Sequence, residues 1–175
     1  MYPENYYELM AEYNQWMDAK IYDVCGGIPD RERKKDMGAF FKSIHGTLNH
    51  IYYGDTAWLE RLRDNKFTPR KPGVDMFDDF NDLRAAQEKI DLELIEWAKT
   101  LTPEYLNGEY KYTSNVDGIT RTLPRWILAT HLFNHQTHHR GQVTTLIMQL
   151  GIDPGITDIP FLPCLRNKYE RHIKT

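Results

Sequence analysis

The stretch HLFNHQTHHRGQ, residues 131–142, carries four of the chain's seven histidines. It lies within residues 124–150, where apolar residues recur at helical spacing and no proline follows the first residue, so we predict one long helix there. Residues four apart on a helix lie on the same face. His135 and His139 have this spacing, and such a pair holds a first-row transition metal through imidazole nitrogen atoms.

The four histidines point in different directions around the predicted helix. At about 100° per residue, His139 lies roughly 20° and His135 roughly 60° from the centre of the apolar face. His131 and His138 lie roughly 100° and roughly 120° from it, at the flank or towards solvent. The simpler interpretation is a helix with a polar face. However, two inward histidines need partners for their nitrogen atoms, so we predict a metal site.

Composition limits the kind of protein. The chain has 175 residues and no evident linker, so we predict a single domain over residues 1–175. Its formal net charge is −3 with both signs interspersed, which disfavours nucleic-acid binding. Cys25 and Cys164 form neither a metal-type pair nor a disulfide framework, which favours a reducing cytoplasm. The sequence shows no signal peptide and no membrane-spanning stretch, so we expect a soluble protein.

The rest of the chain predicts more helices. Three further segments have the apolar periodicity of long helices, namely residues 3–24, 37–63 and 74–101. Short β-like runs at 110–113 and 119–122 predict a hairpin, and residues 165–172 predict a short final helix. Four amphipathic helices with little strand indicate an all-α fold. We predict an antiparallel four-helix bundle with a short hairpin-like crossover before the last long helix.

The second predicted helix holds the other candidates for the site. Asp55 falls near the middle of its apolar face, whereas His50 lies roughly 130° and His45 roughly 90° from that direction. A buried carboxylate needs a histidine, an arginine or a metal as partner. The helical wheel alone therefore selects Asp55. If this helix packs against two neighbours, His50 also meets another helix, and the residues leave both interpretations open.

Neighbouring residues exclude two kinds of metal chemistry. Thermolysin-type sites place a water-activating glutamate after the first histidine, but this position is Gln136, which cannot act as a base. Di-iron bundle proteins place a glutamate three residues before the histidine, and neither His135 nor His139 has one. What remains is a mononuclear site with nitrogen ligands and open positions. Such a site polarises a substrate oxygen or lowers the pKa of a bound water or thiol.

Several motifs resemble those of the DinB family. They are YNQW at 13–16, LNHIYYGD at 48–55 followed by Trp58-Leu59, NHQTHHRGQ at 134–142 and LGIDP at 150–154. The resemblance extends over nearly the whole chain and implies a DinB/YfiT-like four-helix bundle that often forms a homodimer. It also implies a divalent metal, variously nickel, zinc, iron or manganese, bound by three histidines, which are His50, His135 and His139 here.

The resemblance also bears on activity. Its better understood members activate a low-molecular-weight thiol, which implies transfer of that thiol to a small electrophilic substrate. The leading hypothesis is thus a metal-dependent thiol S-transferase, with Asp55 beside the metal ligands or acting as a base. The opposing hypothesis is a bundle without turnover, whose metal stabilises the fold or senses metal or stress. Structural sites are usually closed by four protein ligands, so three histidines favour the enzyme.

Three other residues in these motifs carry expectations. Asp18 stands where the family pattern has asparagine, and its carboxylate would change the charge of the pocket if it lines it. Gly141 costs about 1 kcal/mol in helix propensity, so we expect tight packing there. Arg140 is expected to form an ion pair at the surface or at an interface, away from His135.

Overall fold

The computed structural model describes residues 5–68, 73–115 and 117–169. The helices in this part of the chain are α1 (Tyr6–Gly26), α2 (Asp30–Arg33), α3 (Ile44–Asp64), α4 (Phe80–Ala98), α5 (Pro103–Asn107), α6 (Arg125–Gln149) and α7 (Pro163–Tyr169). A single 3-10 turn, Ile159–Phe161, precedes α7. The predicted all-α character is confirmed, and the longest helix, α6, carries the histidine-rich stretch.

The predicted hairpin is present as two antiparallel strands. Strand β1 (Glu109–Thr113) pairs with β2 (Thr120–Pro124), with Tyr112 opposite Arg121. The strands lie between α5 and α6, so they form the crossover before the last long helix. The predicted C-terminal helix begins earlier, at Pro163, and its predicted end at His172 lies outside the described residues.

Two long helices begin later than predicted because a side chain caps each of them. Helix α3 begins at Ile44 rather than Met37, since the Ser43 hydroxyl accepts a hydrogen bond from the Gly46 amide at 3.0 Å. Helix α4 begins at Phe80 rather than Val74, since the Asp79 carboxylate accepts from two amides of its first turn. The apolar residues that precede each cap belong to loops that fold back on the helices.

The four long helices pack in pairs around two apolar clusters. Helix α3 contacts α4 and α6, and α1 contacts the same two helices. One cluster contains Met17, Leu48, Leu83 and Val143. The other cluster contains Tyr7, Leu59, Leu94 and Leu132. On α3, α4 and α6 a buried polar residue lies between the residues of the two clusters, whereas on α1 the buried Asn14 and Asp18 alternate with residues of the first cluster.

These buried polar residues form one layer across the interior, which we call the polar layer. Its members are Asn14, Asp18, Asp55, Gln87, Asp91, Gln136 and Arg140, and none is more than 3% exposed. The layer draws members from all four long helices, and its members Asp55, Gln87 and Gln136 lie between the two apolar clusters. Each long helix therefore contributes both apolar and polar side chains to its buried face.

No helix in the described ranges is both long enough and apolar enough to cross a membrane.

Candidate metal centre

The packing of α3 against α6 brings three histidines together. His50 comes from α3, and His135 and His139 come from consecutive turns of α6. Gly54 of α3 makes this approach possible. A Cβ atom at Gly54 would lie 2.6 Å from Cε1 and 2.9 Å from Nδ1 of His135, closer than side-chain contacts allow. The His135 ring therefore occupies space that any other residue at position 54 would fill.

The Nε2 atoms of the three histidines form a nearly equilateral triangle. Each of the three Nε2 pairs, His50 with His135, His50 with His139 and His135 with His139, is separated by 3.1 Å. Nitrogen ligands at about 2.0–2.1 Å from one ion lie about 2.8–3.4 Å apart for angles between octahedral and tetrahedral. The triangle thus has the dimensions of one face of a metal's coordination shell.

Hydrogen bonds among the three Nε2 atoms cannot satisfy all of them. An imidazole nitrogen offers either one N–H or one lone pair, so three converging nitrogen atoms cannot each donate and accept towards both others. The Nδ1 of His139 donates to Oε1 of Gln142 at 2.8 Å, which leaves the His139 Nε2 as a lone pair aimed into the triangle. One cation bound between the three nitrogen atoms would be a partner for all of them.

The electrostatic environment keeps the histidines neutral. Burial and the nearby His139 lower the pKa of His50 to about 4. Burial, followed by the charges of His139 and His50, lowers the pKa of His135 to about 3. The pKa of His139 is also lowered, chiefly by burial. Near neutral pH all three rings are therefore in the unprotonated form that binds metals.

Aromatic side chains line the approach to the triangle. The Phe41 ring stacks on His50 with 3.8 Å between centroids and meets the edge of His139 at 5.5 Å. Tyr53 lies nearly parallel to His50 at 6.0 Å. Asn115, in the loop between β1 and β2, donates to the Tyr53 hydroxyl at 3.2 Å. The loop before α3 and the hairpin thus both reach the surroundings of the histidines.

The other histidines that the structure describes stand outside the triangle. His131 and His138 are exposed, as the wheel predicts, although His138 lies 4.8 Å from the His139 ring and Gln142 contacts both His138 and His139. His45 is buried, and its Nε2 bonds to the Phe77 carbonyl at 2.9 Å. His45 therefore ties α3 to the loop before α4.

Asp55 lies in the polar layer and not beside the histidines. It is fully buried and accepts hydrogen bonds from Gln87 Nε2 at 2.8 Å and from Gln136 Nε2. The two interpretations of α3, with either Asp55 or His50 meeting a neighbouring helix, are thus each correct in part. Asp55 faces inward between α4 and α6, while His50 meets α6, because α3 packs against two helices. A catalytic role for Asp55 stays a prediction.

The structure corrects two expectations about α6. Arg140 forms the predicted ion pair, since it lies 3.6 Å from the Asp18 carboxylate, but it is 3% exposed and also donates to Asn14, so this pair is buried and not at the surface. Gly141 is exposed, and no described atom lies within 4 Å of a Cβ placed there, so it is not a site of tight packing. Asp18 belongs to the polar layer with Arg140 and does not join the histidines.

The sequence interpretation missed most of the polar layer. It assigned no buried role to Asn14, Gln87, Asp91 or Gln136. The available signal was the spacing of four between Asn14 and Asp18 and between Gln87 and Asp91, which places each pair on one helix face. The Asn14 amide confirms that these pairs meet, since it donates to Asp18 at 3.0 Å and Asp91 at 3.1 Å.

The fold and site define a predominantly helical protein in which two packed helices present three histidine nitrogen atoms to one point. The DinB family model matches residues 1–171, and the chain belongs to the DinB family. Protein DinB of Bacillus subtilis (strain 168) is 25% identical over 153 residues, which cover 85% of this chain and 88% of that protein.

A solved structure shows the same fold. The crystal structure of a DinB-like protein from Bacillus cereus ATCC 10987 matches with a TM-score of 0.64 and 22% identity, over 82% of this chain and 91% of that chain. The family match over residues 1–171 confirms the resemblance inferred from the histidine and tryptophan motifs.

Proposed function

We propose that this protein is a metal-dependent enzyme in which His50, His135 and His139 hold one divalent transition metal. The observation that carries the proposal is the triangle of Nε2 atoms, 3.1 Å on every side. Within the described ranges, no fourth histidine, cysteine or carboxylate joins this group. A site with three protein ligands keeps positions open for water or substrate, which is the arrangement typical of catalytic metals.

The donor set favours some metals over others. Imidazole nitrogen atoms suit zinc, iron and nickel, whereas manganese prefers carboxylate and water oxygen atoms. No carboxylate belongs to the histidine group among the described residues. We therefore propose zinc, iron or nickel ahead of manganese.

The proposed reaction is transfer of a low-molecular-weight thiol to a small electrophile. A divalent metal held by the three histidines would lower the pKa of a thiol that binds to it. Gln142 fixes which nitrogen of His139 faces the triangle, and Phe41 holds the His50 ring by stacking on it. Phe41 and Tyr53 would also exclude water from one side of the site, where an apolar part of the substrate would lie.

Asp55 is proposed to act through its neighbours and not on substrate. Its carboxylate accepts a hydrogen bond from Gln136. Gln136 directly follows His135, on the helical turn that leads to His139. Together with Gly54 beside it, Asp55 fixes how α3 meets α6. This is a positioning role.

The test combines metal analysis with thiol binding. Elemental analysis of the purified protein should find about one transition metal ion per chain, and His139→Ala should lose it, whereas the exposed His138→Ala should retain it. With Co²⁺ as the spectroscopic probe, 2-mercaptoethanol should shift the visible absorption of the loaded protein. An unchanged spectrum together with a large stability loss on chelation would instead favour the structural bundle without turnover.

We further propose that the four long helices form an antiparallel bundle and that the chain forms a homodimer in the cytoplasm. The paired packing of α1, α3, α4 and α6 supports the bundle. Both cysteines are free, in keeping with a reducing compartment. Light scattering should give twice the 20.7 kDa mass of one chain. A mass equal to one chain contradicts the dimer.

A further inference from the structure

A second concave surface lies away from the histidines. It is a groove of about 720 Å³, lined by residues of α1, α4 and the beginning of α7. The histidines belong to α3 and α6, so the two sites use different pairs of long helices. The volume is in the range of small-molecule sites, about 300–1,000 Å³.

The floor of this groove is the polar layer. Asp18 and Gln87 are 1% exposed, and Tyr22 and Asp91 are 2% exposed, yet all four line the groove. Carboxylate oxygen atoms of Asp18, Asp91 and Asp55 lie within 4.8 Å of one another. The groove therefore ends on a group of buried carboxylates.

The charges of the layer do not balance when all its carboxylates are ionised. Arg140 is the cation that contacts Asp18, while Asn14 and Gln87 contribute neutral N–H donors. One guanidinium against three carboxylates leaves two negative charges in a dry interior, which is costly unless protons or a further cation offset them. Burial and the charges of Asp18 and Asp55 accordingly raise the pKa of Asp91.

The rim of the groove carries two acidic side chains, Glu12 and Glu88. Glu88 forms an ion pair with Arg84 at 2.8 Å, which leaves Glu12 as the rim acid without an ion-pair partner among the described residues. Of the described lining residues Lys99 is the only cation, with its ammonium group 2.7 Å from Glu96. Trp16, Leu92 and Ile95 give the walls an apolar surface. The surface therefore combines apolar walls with an acidic rim and floor.

Two uncharged polar atoms at the floor point to a missing ligand. The Tyr22 hydroxyl and Gln87 Oε1 are buried, and neither has a hydrogen-bond partner within the described part of the chain. Both residues line the groove beside Asp18 and Asp91. A buried polar atom without a hydrogen bond lowers the free energy of unfolding by about 1–3 kcal/mol, so such atoms ordinarily have a hydrogen-bond partner. Both oxygen atoms accept hydrogen bonds, as the carboxylates do.

We infer that this groove binds a small primary amine with an apolar tail. The ammonium group has three N–H donors and would meet acceptors from Asp91, Tyr22 and Gln87, while the tail would lie against Trp16 and Leu92. A divalent metal fits less well, because Asn14 and Gln87 already direct N–H donors at Asp91 and Arg140 adds a positive charge. The inference is independent of the proposed thiol chemistry.

Hexylamine is a suitable probe because its neutral and anionic analogues have the same tail. Isothermal titration at constant ionic strength should show binding of hexylamine, with 1-hexanol and hexanoate at least about tenfold weaker. His139→Ala should bind hexylamine as the unchanged protein does, which separates this site from the metal centre. Hexylamine that binds no more tightly than 1-hexanol overturns the inference, as does Mn²⁺ binding at Asp91 without hexylamine binding.

Tyr22→Phe is the most informative variant. It removes a hydroxyl that has no partner in the described structure, so the unfolding temperature should stay the same or rise, while hexylamine affinity should fall about tenfold. Asp91→Asn should weaken hexylamine binding further. Asp82→Asn, an exposed acid on the same helix, is the control and should leave binding unchanged. Unaltered hexylamine affinity in Tyr22→Phe would show that the hydroxyl meets no ammonium group.

Discussion

At the scale of single residues, Gly54 decides whether the histidine triangle forms. Its Cα faces the His135 ring so closely that a Cβ would overlap Cε1 at 2.6 Å. The ring cannot give way freely, because its Nε2 also lies 3.1 Å from those of His50 and His139. The identity of residue 54 is therefore coupled to the geometry of a site in which it holds no ligand atom.

Replacing Gly54 by alanine should separate metal binding from stability of the fold. We expect Gly54→Ala to displace His135 and weaken metal binding by about 10–100-fold, the range typical of changes beside metal ligands. Competition with a chelator measures this. Gly141→Ala is the matched control on α6, since its Cβ meets no described atom, and it should raise helix stability by up to about 1 kcal/mol. Equal metal affinity in both variants would contradict this account.

At the scale of elements, the start of α3 sets where Phe41 lies. Because Ser43 caps the helix, the preceding residues leave the helix axis and Phe41 turns back onto His50. If the helix began at Met37 instead, Phe41 would be part of the helix and would not fold back onto His50. The cap thus controls one wall of the candidate metal centre as well as a helix end.

Removal of the cap should destabilise the protein by a predictable amount. Ser43→Ala leaves the Gly46 amide without its acceptor and should lower the free energy of unfolding by about 1 kcal/mol, measured by urea denaturation. Ser43→Thr retains a hydroxyl and should restore most of the loss. If alanine and threonine have the same effect, the lost hydrogen bond is not the cause.

The sequence predicted the helices and their faces more accurately than the contacts that individual side chains make with other helices. The spacing of His135 and His139 was sufficient to place both on one face, because that depends only on helix geometry. His50 was missed by the wheel because a single apolar direction describes a helix with one neighbour, and α3 has two. Arg140 and Gly141 were misjudged for a related reason. Local propensity does not reveal that Asp18 of α1 pairs with Arg140 or that no described residue packs over Gly141.

At the scale of the whole molecule, the polar layer should make stability depend on pH. Burial, followed by the charge of Asp18, raises the pKa of Asp55 from 3.8 to about 7. The folded state therefore keeps a proton that the unfolded state releases. The stability gained from the neutral carboxyl is fully present below about pH 4 and is lost as the pH rises through 7.

Asp55→Asn tests this dependence. Relative to the variant, the unchanged protein should lose stability between about pH 4 and 7, with a slope of at most about 1.4 kcal/mol per pH unit, and level off above. Histidine titration affects both proteins and cancels in the difference. Urea denaturation across this range measures the difference, and exposed Asp82→Asn should show none. A flat difference would mean that Asp55 is ionised in the folded protein throughout.

The polar layer also fixes the register of the helices. A slip of α3 along α6 by one turn towards Leu132 would move Asp55 from Gln136 to a level where leucine side chains pack, away from the Gln136 donor. Apolar clusters alone tolerate such a slip, since one leucine replaces another. Because Asp55 adjoins Gly54 and Gln136 adjoins His135, the register that satisfies the layer is the one that aligns the histidines. The packing of the helices themselves, without an ion, therefore favours the register that brings the histidines together.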